Sequence, residues 1–402
     1  MRFVKILILN CGSSSLKYKL FDMPESAVLA NGQADRIGQT EALFRHDVKG
    51  RETFLDKTPL RNHREAVQAL LTYLVDRRRG ILSDMSEIGG VGHRVVHGDE
   101  HFRMSVVVDA AAREILESTQ KLAPLHNPPN LMGIDVCTKL MPGVPQVAVF
   151  DTAFHQTMPA HAFTYAIPYR YYTEDHVRRY GFHGTSHRYV ARRTAELLRD
   201  KTAAPRIITC HLGAGSSLCA VAGDQSMDTS MGFTPLSGLV MGTRSGDIDP
   251  AVVSFIMEKE GCSMAGVMEI LNRQSGVLGI SGVSPDFRDL EKAAAEGHER
   301  ARLALAVFAY SVARGVGSLI PAIDGLDALA FTAGIGEHSP QMRQRICAFL
   351  SWLGIVLNED KNGDGDGERV ISARESKINV FVIPTDEEKM IAEESWAVLR
   401  QQ

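Results

Sequence analysis

Short apolar runs alternate along the chain with longer amphipathic stretches, and that alternation predicts an α/β architecture. Strands are predicted at 4–9, 16–21, 90–96, 146–150, 206–210, 217–222, 328–332 and 379–383. Helices are predicted at 64–77, 110–122, 130–140, 186–198, 250–259, 299–320, 340–353 and 387–399. Ser186 and Pro250 head two of these helices. A capping hydroxyl and a ring of fixed φ both favour a helix start.

An internal echo organises these elements. The run Ile6-Leu7-Ile8-Leu9 leads through Asn10-Cys11-Gly12-Ser13-Ser14-Ser15 into a second strand at Leu16. The same order of residue types returns at Ile207-Ile208-Thr209-Cys210-His211-Leu212-Gly213-Ala214-Gly215-Ser216-Ser217-Leu218, about half a chain further on. Each reads as a β-hairpin with a tip of small residues. A duplicated domain with a ligand cleft between two lobes is the expectation.

Composition narrows the class. The chain has 402 residues, 44% hydrophobic and 23% charged, which suits a globular protein of two or three domains. With 44 basic and 48 acidic residues it has no global basic field to attract nucleic acid. The six cysteines (Cys11, Cys137, Cys210, Cys219, Cys262 and Cys347) form no CxxC pair, which reads as reduced thiols in a cytoplasmic protein. The N-terminus has no long apolar region, so no signal peptide is expected. The best membrane-span candidate, 301–323, is interrupted by Arg302 and Arg314 and carries Pro321, so a buried helix is the expectation.

Candidate chemistry lies in glycine-rich segments. The hairpin tip at Asn10–Lys17 offers backbone donors, hydroxyls and a cation to a phosphate, although for this segment alone a plain turn is the stronger reading. No GxxxxGK[ST] loop occurs. Thr332-Ala333-Gly334-Ile335-Gly336-Glu337-His338-Ser339-Pro340 joins a strand to a helix through two glycines, either for a nucleotide or as a tight connection. Arg94 sits in an apolar strand, His183 in Tyr180-Gly181-Phe182-His183-Gly184, and Arg244 in Met241-Gly242-Thr243-Arg244-Ser245-Gly246. Low bulk around one cation presents it to a ligand, unless an ion pair claims it. The HisxxxHis spacings at 93/97 and 183/187 lack an HExxH glutamate and do not read as zinc sites. Asp151 ends a strand, Glu387 opens a helix, and Asp286-Phe287-Arg288 sets opposite charges beside a ring. Asp360, Asn362, Asp364 and Gly365 mimic half of an EF-hand loop, but Ile371 stands where calcium needs a glutamate, so a solvated turn is expected.

Taken in order, Asn10-Cys11-Gly12-Ser13-Ser14-Ser15-Leu16-Lys17, Gly92-His93-Arg94-Val95-Val96-His97-Gly98, Tyr180–His187, Met241–Pro250 and Ile383-Pro384-Thr385 resemble the acetate/propionate kinase family. That family belongs to the sugar kinase, chaperone and actin-like ATPase superfamily. The resemblance implies two duplicated ribonuclease H-like lobes. One would be 1–153 with the returning 387–402; the other, 154–386, would bind nucleotide. It implies a reversible transfer of phosphate from ATP to a short-chain carboxylate, and a cytoplasmic homodimer with no nucleic-acid or membrane partner. Asn10 and Glu387 would hold Mg²⁺, with Mn²⁺ as a substitute, and Lys17 would meet the phosphates. His211, Leu212, Gly213, Ala214, Gly215, Asp286, Phe287, Arg288, Gly334, Ile335, Gly336, Glu337 and His338 would form the ATP site. Arg94 would bind the carboxylate, Asp151 would be the catalytic acid in the family's sense, and His183 and Arg244 would stabilise the transition state. Val96, Leu125, Phe182 and Pro235 would wall the pocket for the acid's methyl group. A branched Val96 favours acetate over propionate.

The family usually has Asn where this chain has Ala214, His338 and Asp386. These departures bear on donor preference more than on the reaction. Its chemical demand is electrostatic. A carboxylate is already ionised at pH 7 and needs no strong base, yet it must approach a polyanion. Two unit charges 4 Å apart interact by about 4 kcal/mol at an effective dielectric of 20. Lys17, Arg94, His183, Arg244 and a divalent ion are the groups this sequence offers against that repulsion. A nucleotide-gated chaperone or filament protein of the same fold would need no carboxylate-binding arginine.

Overall fold

The computed structural model describes residues 4–12, 14–123, 126–199, 202–363 and 365–401. The chain divides into two compact units, Met1–Phe154 with Asp386–Gln402, and His155–Thr385. The first unit contains β1 (Val4–Cys11), β2 (Ser15–Met23), β3 (Ala27–Asp35), β4 (Leu43–Val48), β5 (Phe54–Asp56), β6 (Ile88–Val95), β7 (Val106–Val107) and β8 (Gln146–Phe150). They form one sheet in the order β5-β4-β3-β2-β1-β6-β8-β7. The second unit contains β9 (Arg206–Leu212), β10 (Ser216–Ala222), β11 (Gln225–Thr229), β12 (Ala328–Thr332), β13 (Arg369–Val370) and β14 (Asn379–Val382), in the order β11-β10-β9-β12-β14-β13.

The two sheets share one plan. In the run β3-β2-β1-β6-β8 the first two joints are antiparallel and the last two parallel. The run β11-β10-β9-β12-β14 repeats that sequence of joints. Both glycine/serine segments are hairpin tips. Cys11 pairs with Leu16 at the first, and Leu212 pairs with Ser216 at the second.

Strand β1 carries a continuous apolar run, Ile6–Leu9, because both its faces are covered there. Leu7 and Leu9 share a core with Ala66, Val67 and Leu70 of the helix His63–Val75 and with Val136 and Cys137 of the helix Asn127–Leu140. Ile6 and Ile8 point the other way, onto Ile391 and Ala392 of the C-terminal helix Glu387–Leu399. That helix lies close on the sheet: a Cβ at Gly92 would fall 2.4 Å from Ser395 Oγ and 2.8 Å from Ile8 Cδ1. Only glycine lets the helix settle there. The docking carries Glu387, at the head of the helix, toward Arg94 in β6.

In the second unit the helix Glu299–Leu319 buries Ala301, Ala304, Leu305, Phe308, Val312 and Val316 in a core shared with β9, β10 and β12. It belongs to a helix long and apolar enough to cross a membrane, and its buried stripe accounts for that composition. Each of the predicted strands is found, whereas β3, β4, β5, β7, β11 and β13 are additions. Two expectations change. The helix expected from Ser186 begins at Gly184, and the Ser186 hydroxyl bonds to His211 and Thr385 instead of capping. The turn expected at 360–365 includes the short helix Glu359–Gly363. Its Asn362 is buried and accepts from Arg343 Nε at 2.7 Å, because a buried guanidinium needs that oxygen.

Candidate active site

In the first unit Arg94 projects from the C-terminal end of β6, and Asp151 follows β8 directly. The Asp151 N–H donates to Val95 O at 3.0 Å, extending the ladder by one rung. Arg94 Nε donates to Asp151 Oδ1 at 2.9 Å and Nη2 to Oδ2 at 2.6 Å, a two-pronged charge-assisted pair. The Asp151 side chain is almost wholly buried, while Arg94 keeps about a fifth of its surface open (2% and 22%). Glu387 Oε2 lies 3.8 Å from Arg94 Nε. Burial pulls the Arg94 pKa down, but the charges of Asp151 and Glu387 outweigh it and the guanidinium is held more firmly charged. Burial raises the Glu387 carboxyl above the usual range, Asp151 and Glu388 add to the rise, and Arg94 and Lys17 only partly offset it.

Two buried asparagines hold this frame. Asn130 Nδ2 donates to Cys11 O at 2.9 Å, while its Oδ1 accepts from the Val96 N–H at 3.2 Å. Asn127 bonds both the N–H and the carbonyl of His97, at 3.1 and 2.9 Å. One helix thus ties the end of β1 to the segment after Arg94. Sequence reading did not single these residues out; two asparagines flanking Pro128-Pro129 at a helix start were the available signal. Asn10 and Lys17 face each other across the first hairpin, with Lys17 exposed. Lys19 Nζ pairs with Asp386 at 3.0 Å and Glu388 at 3.3 Å, anchoring the head of the C-terminal helix on either side of Glu387. Val96 is 6% exposed, and Leu125 lies outside the described residues.

In the second unit His183 has φ +57° and heads the helix Gly184–Leu198. Its Nδ1 is 2.8 Å from Ser217 Oγ, and its ring stacks on His211 with centroids 4.1 Å apart. Arg244 converges on the same turn: a Cβ at Gly215 would lie 3.3 Å from Arg244 Nη1 and 3.6 Å from His183 Nε2. Arg244 Nη1 donates to Pro235 O at 3.2 Å. No described carboxylate pairs with it, and burial pulls its pKa below the usual value. A part-buried cation of this kind is a candidate for binding an anion.

The remaining residues of the second unit fall into two groups. His211, Leu212, Gly213, Ala214 and Gly215 form the β9–β10 tip, closed by Gly213 N–H to Gly215 O at 3.1 Å and adjoining Ala333. Gly334, Ile335, Gly336, Glu337 and His338 form the short helix Ala333–His338. Glu337 Oε1 accepts from Ala333 N at 2.7 Å and Thr385 N at 3.2 Å, so this carboxylate braces the junction, and His338 is exposed. Gly334 has open space where a side chain would stand. Asp286 caps the helix Phe287–Ala295 and pairs with the exposed Arg288. The Phe287 ring turns inward, edge-on to Phe308 at 4.6 Å. Phe182 is buried, and its carbonyl is bonded by His155 Nε2 at 3.0 Å.

A strand plan repeated in two sheets, with a glycine-rich hairpin tip in each, is the actin-like ATPase fold. The chain belongs to the acetokinase family, whose model matches residues 5–393, and it is a kinase. It is 55% identical over 393 residues to the acetate kinase of Thermoanaerobacter pseudethanolicus, covering 98% of each chain. Among solved structures it superimposes on the acetate kinase of Porphyromonas gingivalis with a TM-score of 0.92 at 46% identity, covering 98% of this chain and 100% of that one. For a propionate kinase of Francisella tularensis the TM-score is 0.91 at 40% identity, with the same coverage.

Proposed function

We propose that the chain transfers a phosphoryl group reversibly between ATP and acetate, giving acetyl phosphate and ADP. The observation that carries this reading is the Arg94–Asp151 pair. Asp151 occupies the Nε/Nη2 edge of the guanidinium, and Nη1 donates to no described group. An arginine held in this way offers its remaining edge to a planar carboxylate. The acceptor carboxylate is already ionised, so its oxygen attacks the γ-phosphorus directly. One O–P bond forms, the bond to the β–γ bridging oxygen breaks, and ADP leaves with that electron pair. Asp151 is an orienting group for Arg94 and not a base.

His183 and Arg244 in the second unit supply positive charge for the transferring phosphoryl group, and the 211–215 tip with the 333–338 helix receives the nucleotide. Asn10 and Glu387 are hard oxygen donors, which suits Mg²⁺, and a carboxyl whose charge is disfavoured by burial gains from a divalent cation. When bound, the ion would offset phosphate charge. Val96, with Phe182 and Pro235, favours the two-carbon acid, although one methylene discriminates by only about 1–3 kcal/mol. The chain acts as a homodimer in the cytoplasm. In support, all six cysteines are free thiols, and the helix Pro250–Glu260 buries none of its residues.

Hydroxylamine trapping tests the reading. Incubation with ATP, Mg²⁺ and acetate should give acetohydroxamate, with a higher kcat/KM than for propionate or butyrate. ATP loss without hydroxamate would instead point to a nucleotide-gated protein.

A further inference from the structure

Behind His183 lies a chain of side chains that the proposed reaction does not use. Ser217 Oγ is 2.8 Å from His183 Nδ1 and 2.7 Å from His187 Nε2. His187 Nδ1 is in turn 2.7 Å from Thr209 Oγ1, which donates to Cys219 O at 3.4 Å. His187, Thr209 and Ser217 are fully buried, each at 0% exposure. We propose that Thr209, His187 and Ser217 form a hydroxyl–imidazole relay that fixes both the ring orientation of His183 and the nitrogen that carries its proton. They are positioning residues for phosphoryl transfer.

Counting protons gives the relay a direction. Burial, reinforced by the neighbouring His155 and His211, drives the His187 pKa down, so its ring is neutral with one N–H. The Thr209 hydroxyl hydrogen goes to Cys219 O, so its oxygen accepts from His187 Nδ1–H. His187 Nε2 is then an acceptor and takes the Ser217 hydroxyl hydrogen. The Ser217 oxygen, its hydrogen spent, accepts from His183 Nδ1–H. The proton on Nδ1 is therefore fixed, and Nε2, on the side of Gly215 and Arg244 Nη1, is the nitrogen that gains or loses one. The opposite direction would have Ser217 donate into His183 Nδ1. That arrangement would bar the imidazolium, the form best suited to a group gathering negative charge. His187 and Thr209 thus select the chargeable form of a ring neither carries.

This inference rests on the phosphotransfer reading, and wild-type hydroxamate formation is measured first; its absence would defeat both. With an active wild type, Ser217→Ala should lower kcat roughly 10- to 100-fold, the loss found when a partner that orients a histidine is removed. KM for ATP and for acetate should stay within about twofold. Thr209→Val keeps the side-chain shape and removes only the far hydroxyl. It should lower kcat several-fold in the same manner, and Thr209→Ser should restore it. The double variant should be no slower than Ser217→Ala, because Thr209 acts only through Ser217. Wild-type kcat in either single variant, no rescue by Thr209→Ser, or additive losses in the double variant would overturn the relay while leaving the phosphotransfer reading intact.

Discussion

Arg94 and Asp151 meet edge to edge: Nε and Nη2 reach the two carboxylate oxygens at 2.9 and 2.6 Å, and the acid is almost wholly buried. The pairing separates orientation from proton abstraction. Asp151→Asn keeps the shape but turns one acceptor into a donor facing a guanidinium. kcat/KM for acetate should fall on the order of 10²- to 10³-fold, the scale of one lost preorganised contact. The residual activity should keep the wild-type pH–rate profile, since no essential base has been removed. Loss of a free-enzyme limb in that profile would make Asp151 a base. Arg94→Lys should raise the KM for acetate, because an ammonium cannot hold two carboxylates in one plane.

Arg244 is a part-buried cation with no described carboxylate partner, and burial lowers its pKa. An uncompensated charge of this kind destabilises the fold while serving the site. Arg244→Met should therefore lower kcat roughly 10²-fold or more while leaving Tm unchanged or raised. Thermal scans beside steady-state kinetics check this, and a clear fall in Tm would mean that Arg244 is part of the frame.

The central strands were legible in the sequence because burial on both faces leaves continuous apolar runs, as in Ile6–Leu9. The outer strands were not. In β3, Asn31-Gly32 is turn chemistry by local rule, yet it lies mid-strand, opposite Tyr18 and Lys19. A Cβ at Gly32 would fall 2.5 Å from the Tyr18 ring and 2.2 Å from Arg45 O, so the glycine answers a crowding that only the folded sheet creates. The cations of the site were visible from their glycine-rich surroundings. Their supports were not, because Asn127, Asn130, Thr209 and Ser217 are ordinary polar residues until a neighbouring strand brings their partners within reach.

The helix Pro250–Glu260 carries Val252, Phe255, Ile256 and Met257 and buries none of its residues, with Phe255 66% exposed. Apolar side chains on several faces of an exposed helix need a covering surface, which a second copy of the chain would provide. Light scattering after gel filtration should give twice the chain mass. Phe255→Glu should shift the population toward monomer. A monomeric wild type, or a variant that still dimerises, would move the interface elsewhere.

Stability should depend on pH through two histidines of the first unit. His93 is buried with Nε2 on Gln146 Oε1 at 2.8 Å, and burial pushes its pKa down to about 4 despite that bond. His97 is likewise pushed down to about 4 by burial, against the opposing charge of Asp99. Each stays neutral in the folded state while the unfolded chain takes up a proton below pH ~6.5. Their contribution is therefore full above pH ~6.5 and is lost progressively as pH falls toward 4. At pH 5.5 each group should cost about 1.4 kcal/mol relative to neutral pH, roughly 3 kcal/mol for the pair. Urea midpoints of first-unit unfolding should drop accordingly between pH 7.5 and 5.5, and His93→Gln should remove about half of the dependence. A midpoint that stays level over this interval would mean that both rings take up protons in the folded state as readily as in the unfolded one.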